Sequence, residues 1–136
     1  MLTETSPNTN APSMPVRVVA GLLSAAFLGL GVAEIIVPGT FVGTYGAALT
    51  APEGLPFISG IGARNIALSL IGLVAAFKGL RSALTLLFLG LTIVSALEFA
   101  TVATAAGPMA AIRFAIFAVL LALMTAWTAL SRGSKS

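Results

Sequence analysis

The sequence predicts an all-α, polytopic membrane protein: a bundle of four transmembrane helices, with an interfacial loop between the first and the second. Three observations carry that prediction. Of 136 residues, 58% are hydrophobic and only 8% charged, against about a quarter charged in a soluble domain, so there is too little polar surface to face water. Four apolar stretches each reach the roughly 20 residues that a helical span needs. None has the polar outer face that a soluble bundle requires.

Composition also removes function classes. The net charge is +3, with Lys and Arg scattered singly, so no basic face exists for nucleic acid. There is no cysteine, hence no disulfide, thiol chemistry or iron–sulfur ligation. Histidine is absent too, which removes the commonest metal ligand and the usual base near neutral pH. No metal and no cofactor is expected, and no GxGxxG or GxxxxGK[ST] stretch points to a nucleotide.

Residues 1–15 (MLTETSPNTNAPSMP) are polar and Pro-bearing, and read as a disordered tail. They lack the basic start and short apolar run of a cleaved signal peptide. Span one is expected over 16–37, stopping at Pro38-Gly39. Gly21, Ala25, Gly29 and Ala33 recur every fourth residue, a spacing that suits close helix approach in lipid. Residues 38–58 hold three prolines and four glycines, so no long helix can persist there. Phe41, Val42, Tyr45, Leu49, Leu55 and Phe57 are too apolar for a solvated loop. They predict an interfacial connector with a short helix near 41–49, either a plain link or a lid. Span two is expected over 59–78, capped by Ser59 and ended by Lys78-Gly79. Span three runs over 82–105. Gly107-Pro108 then ends one helix and opens the next, over 109–130. In that last span Ala118, Ala122 and Ala126 form a small-residue face, and Trp127 suits the membrane interface. The segment 132–136 is a basic tail.

Four spans put both termini on one side. Arg17, Lys78, Arg81, Arg132 and Lys135 all fall there, while the opposite connections hold Glu53 and no Lys or Arg. The positive-inside rule therefore predicts cytoplasmic termini. Each span carries one further charge or acid: Glu34, Arg64, Glu98 and Arg113. At 1.5 Å per residue all four sit in the outer half of the membrane, roughly 5–12 Å below its edge.

Charges inside a membrane are costly, and they usually face the bundle interior in pairs. Two ion pairs that fix helix register would account for these four. A polar pocket would too, with Glu34 and Glu98 as candidate catalytic acids and Arg64, Asn65, Arg113 and Thr101 as candidate substrate-binding groups. Ser69 is a further candidate for the lining, though Ser and Thr in helices often bond only their own backbone.

The motif GARNIAL at 62–68, the acidic SALEF segment ending the third span and the AAGPMAA connection give a resemblance to a known group. Over roughly 16–130 the chain resembles the family catalogued as domain of unknown function 4267, small four-helix membrane proteins distantly similar to the DoxX-like group. The resemblance implies the four-span architecture and no established reaction. Members often carry Asp where this chain has Asn65 and Glu98, and His near the position of Arg113. Arginine stays protonated, so Arg113 cannot serve as a base in place of such a His.

Two functions from different classes follow. In the first, the protein acts on a lipophilic small molecule by acid-assisted isomerisation or cyclisation, of a biosynthetic type. A carboxyl kept from water favours its protonated form and can give up that proton, while Arg64 orients the substrate or stabilises developing charge. In the second it is a non-catalytic component, either a partner subunit, an assembly factor or a lipid-binding module, and the charges are structural. Membrane lipid is the expected surroundings in both, with a homo-oligomer or a partner membrane protein as further company. A transporter ranks third, since no pair of broken helices is evident.

Overall fold

The computed structural model describes residues 10–45 and 54–131. Four long helices dominate: α1 (Met14–Ile36), α3 (Leu55–Lys78), α4 (Arg81–Ala106) and α5 (Pro108–Leu130). Each is long and apolar enough to cross a membrane. Between α1 and α3 a 3-10 turn, Pro38–Phe41, leads into a single helical turn, α2 (Val42–Tyr45). That is the part of the expected short helix lying within the described residues; 46–53, which hold Glu53, lie outside them, as do 1–9 and 132–136.

Prolines set where the spans begin. Pro15, Pro56 and Pro108 each sit in the first turn of a helix, where a missing N–H leaves no bond unmade. For this reason α3 opens at Leu55 rather than at the expected Ser59, which lies inside the helix. Met14 and Pro15, expected in the disordered tail, open α1. At its far end α3 stops at Gly79, whose φ of 66° is left-handed. Gly79 N donates to Ala76 O at 3.3 Å and Leu80 N to Ala75 O at 2.9 Å, the paired bonds of a Schellman stop. Arg17 of α1 completes this end by donating from Nε to Ala76 O at 2.8 Å, beside the Gly79 bond, and from Nη2 to Phe77 O, at a helix end that leaves its last carbonyls short of intrahelical donors.

The helices pair as two antiparallel hairpins, α1 with α3 and α4 with α5, while α3–α4 and α1–α5 touch much less. Buried positions on α3 include Ile58, Gly62, Asn65, Ser69, Gly72 and Ala76. They alternate in steps of four and three, the 3.5-residue repeat of a coiled-coil seam. The matching seam on α1 is Val16, Ala20, Ser24, Gly31 and Glu34. The small-residue face expected at Gly21, Ala25, Gly29 and Ala33 is not that seam. A Cβ on Gly29 would meet nothing within 4 Å, whereas one on Gly31 would lie 2.7 Å from Gly62 O and one on Gly62 2.6 Å from Gly31 O. The backbones cross in contact there, and only glycine fits on either side. On α5, Ala122 and Ala126 face outward, and the buried residues are Ala111, Phe114, Leu121, Met124 and Thr128.

The two halves of the bundle differ. Toward the chain ends, Ala20, Ala75, Ala76, Leu84, Phe88, Leu121 and Met124 form one apolar core from all four long helices. Both described ends meet here: Ser13 N donates to Ser131 Oγ at 3.0 Å. Toward the loop end the apolar cluster is smaller, with Val102, Ala111 and Phe114 joined by Tyr45 and Phe99. Here α1 and α3 present polar groups instead.

Candidate functional site

Glu34 and Asn65 occupy seam positions, the places that leucine would fill in an ordinary bundle. The Gly31–Gly62 crossing, one turn away, brings the two helices close enough for direct contact. Asn65 Nδ2 donates to Glu34 Oε2 at 2.8 Å. The other oxygen, Oε1, accepts from the Tyr45 hydroxyl at 2.6 Å. Glu34 is 0% exposed, and among the described residues its side chain is held by these two neutral donors, with no cation in salt-bridge range.

The network continues onto α4. Arg64 Nη2 donates to Glu98 Oε1 at 3.1 Å and to Asn65 Oδ1 at 3.4 Å. Arg64–Glu98 is the ion pair among the described residues, with side chains 37% and 25% exposed. One hydrogen-bonded chain thus runs Tyr45–Glu34–Asn65–Arg64–Glu98 and ties α1, α2, α3 and α4 together. Burial first, then the bond to Glu34, push the Tyr45 phenol well above its ordinary range, with the negative charges of Glu34 and Glu98 adding and Arg64 opposing.

These groups border a cavity of about 50 Å³. Its polar edge is Tyr45, Arg64, Asn65, Ser95 and Glu98, and its walls include Phe27, Phe114 and Phe117. Glu34 stands behind Tyr45 and Asn65 rather than on the lining. Arg64 Nε is buried without a partner, a spare donor beside the cavity.

Of the six expected site residues, Glu34, Arg64, Asn65 and Glu98 come together. Arg113 does not join them. Its guanidinium lies over the Phe114 ring, 5.0 Å from the centroid, a cation–π contact. The expected two ion pairs are therefore one: Glu34 is held by neutral donors, and Arg113 lies against an aromatic face with its Nε buried and unpartnered. Thr101 is exposed and donates to Leu97 O at 2.8 Å, within its own helix, so it is off the lining and Ser95 stands there instead. Ser69 is buried with its hydroxyl unpartnered, one turn further into the bundle. Tyr45 was not singled out from sequence. It is the chain's one tyrosine, placed in the connection that follows Glu34, and that was the available signal. No group of three or more His, Cys, Asp or Glu converges among the described residues.

Fold and site together define an integral, multi-pass, all-α membrane protein of four spans with ionisable side chains inside the bundle. Within that class, the family model described as Domain of unknown function (DUF4267) matches residues 24–130, and the chain belongs to that family. No curated protein and no solved structure matches it.

Proposed function

We propose that the protein binds a lipophilic small molecule at this cavity and acts on it by acid-assisted isomerisation or cyclisation. The observation that carries the reading is the cavity itself: aromatic and aliphatic walls meeting one edge on which a phenol, an amide, a guanidinium and a carboxylate all converge. Arg64 Nε and Asn65 hold a polar group of the substrate and stabilise charge developing on it. Glu98 is the carboxylate on the cavity's edge and takes a proton from one carbon. Glu34 is the acid: its proton passes through the Tyr45 hydroxyl, which lines the cavity and itself stays protonated, to another carbon. One proton arrives and one leaves, so substrate and product share a composition and no redox partner is required.

Heavy water tests this without knowing the substrate. Membranes carrying the wild type, incubated in deuterium oxide, are expected to place deuterium at a carbon-bound position of a lipophilic species. The label is expected to vanish with Glu98→Gln and Glu34→Gln while the variants remain monodisperse. Unlabelled wild-type extracts sink the proposal.

A second reading is favoured by one observation: the polar chain links the two hairpins where apolar packing between them is thin. On that reading the charges are structural and the protein is a non-catalytic partner subunit, assembly factor or lipid-binding module. It predicts no label and a large stability loss for the same two variants. For orientation we propose cytoplasmic termini, supported by the basic residues at the end where Ser13 meets Ser131; reporters fused to each terminus test it.

A further inference from the structure

We infer that the ligand is a single-chain amphiphile with a neutral hydrogen-bonding head in the polar cavity and an apolar chain along the seam between α1 and α5. The inference rests on the cavity being a ligand site, as proposed above. Volume is the starting point. A cavity of about 50 Å³ falls far below the roughly 300–1,000 Å³ of sites that enclose a whole drug-sized ligand. Only a head group fits, so the rest of a lipophilic molecule must lodge elsewhere.

The α1–α5 seam has the space. Where the two hairpins barely touch, Val19, Leu23, Leu120, Leu123, Met124 and Trp127 line a groove of about 480 Å³. A void of about 10 Å³, barely the size of one water, shares Leu23 with the groove, and Phe27, Asn65 and Leu91 with the polar cavity; the two spaces are neighbours with side chains between them. The Phe27 and Phe117 rings, with centroids 5.9 Å apart, wall the polar cavity from α1 and α5, the two helices that form the groove, and the inferred path requires these rings to turn aside. From Leu120 to Trp127 the groove runs seven residues, about 10 Å at the helical rise. A second groove on the outer face of α1 and α3, lined by Arg17, Val18 and Phe77 among others, shares no residue with the cavity or the void and is not on this path.

The chemistry of the head follows from the edge it meets. Arg64 and Glu98 already pair with each other, so a charged head would have to compete with that ion pair for its partner. A carbonyl accepts from the spare Arg64 Nε and leaves the ion pair intact.

Trp127 is the chain's one tryptophan and lines the groove, which makes the test direct. The probe is an alkyl methyl ketone brominated at the chain end, titrated into phosphatidylcholine nanodiscs containing the full-length protein, with bromine quenching of Trp127 as the readout. We expect saturable quenching that an unbrominated ketone reverses. Arg64→Met, which removes the donor to the head, is expected to weaken it about tenfold, the equivalent of one hydrogen bond to a charged group. Leu123→Phe, on an exposed face remote from the polar network, is expected to weaken it similarly by filling the groove, and keeps the test valid if Arg64→Met fails to fold. Quenching that rises linearly with probe and ignores both substitutions reports ordinary lipid contact and overturns the inference. If the Glu98-dependent deuterium label persists in that case, the chain path alone is wrong. If the label is missing too, the cavity is no ligand site.

Discussion

The two ends of the bundle treat arginine in opposite ways. At the end where Ser13 meets Ser131, Arg17 spends its donors on backbone carbonyls of α3, Ala76 O and Phe77 O, beside an apolar core drawn from four helices. At the other end, Arg64 bonds side chains, Glu98 and Asn65, and keeps Nε unpartnered next to a cavity. One arginine finishes a helix. The other holds a set of titratable groups in contact with each other.

The comparison predicts a separation between stability and chemistry. The largest effect is expected from Phe88→Ala in the apolar core, which removes a nearly fully buried ring. It should lower stability by about 3–5 kcal/mol in a reversible detergent unfolding titration, yet leave the deuterium label intact. Loss of both would mean that the halves are not separable. Next comes the seam. Gly62→Leu should cost about 3 kcal/mol through backbone overlap with α1, and Gly29→Leu, whose added atoms meet open space, should cost nothing measurable. Equal effects would refute the assigned seam. Tyr45→Phe leaves Glu34 Oε1 without its donor and should cost about 1–3 kcal/mol while also reducing the label. Arg17→Ala should cost about 1 kcal/mol with the label unchanged.

Tyr45 gives the comparison a pH axis. Its phenol is raised in the folded protein, by burial first and by Glu34 second. A raised group contributes stability that is fully present below its unfolded value near 10 and lost as pH climbs above it. Stability at the loop end should therefore decline only in strong alkali. As the chain's sole tyrosine, Tyr45 can be followed by phenolate absorbance. A titration near the ordinary value would show that the phenol is not held by Glu34.

Much of this was readable before any coordinates. Composition gave the membrane class, and prolines and glycines placed the breaks between spans. Depth was readable too, because each residue advances a helix by a fixed rise; that put Glu34, Arg64 and Glu98 at one level. Azimuth was not. Each residue also turns the helix by about 100°, so shared depth says little about which way a side chain points, and Arg113 points at Phe114 instead of the network. The α1 seam was missed for a related reason. Gly and Ala occur on every face of that helix, so composition could not separate a four-residue stripe at Gly21 and Gly29 from the 3.5-residue seam through Ser24 and Gly31. Tyr45 was hidden because a single helical turn, Val42–Tyr45, is too short to show a period from which to infer its direction.

The ion pair between Arg64 and Glu98 also constrains how the protein is made. A ribosome delivers α1 and α3 before α4 exists, so Arg64 reaches the bilayer while its carboxylate partner is still unsynthesised. Until then its side-chain partner among the described residues is Asn65 Oδ1, an amide that cannot neutralise it. An uncompensated arginine near mid-helix opposes insertion by about 2.5–3.5 kcal/mol. The first hairpin, whose two spans are apolar enough to enter the membrane, carries that cost until Glu98 arrives on the second hairpin and pairs with Arg64.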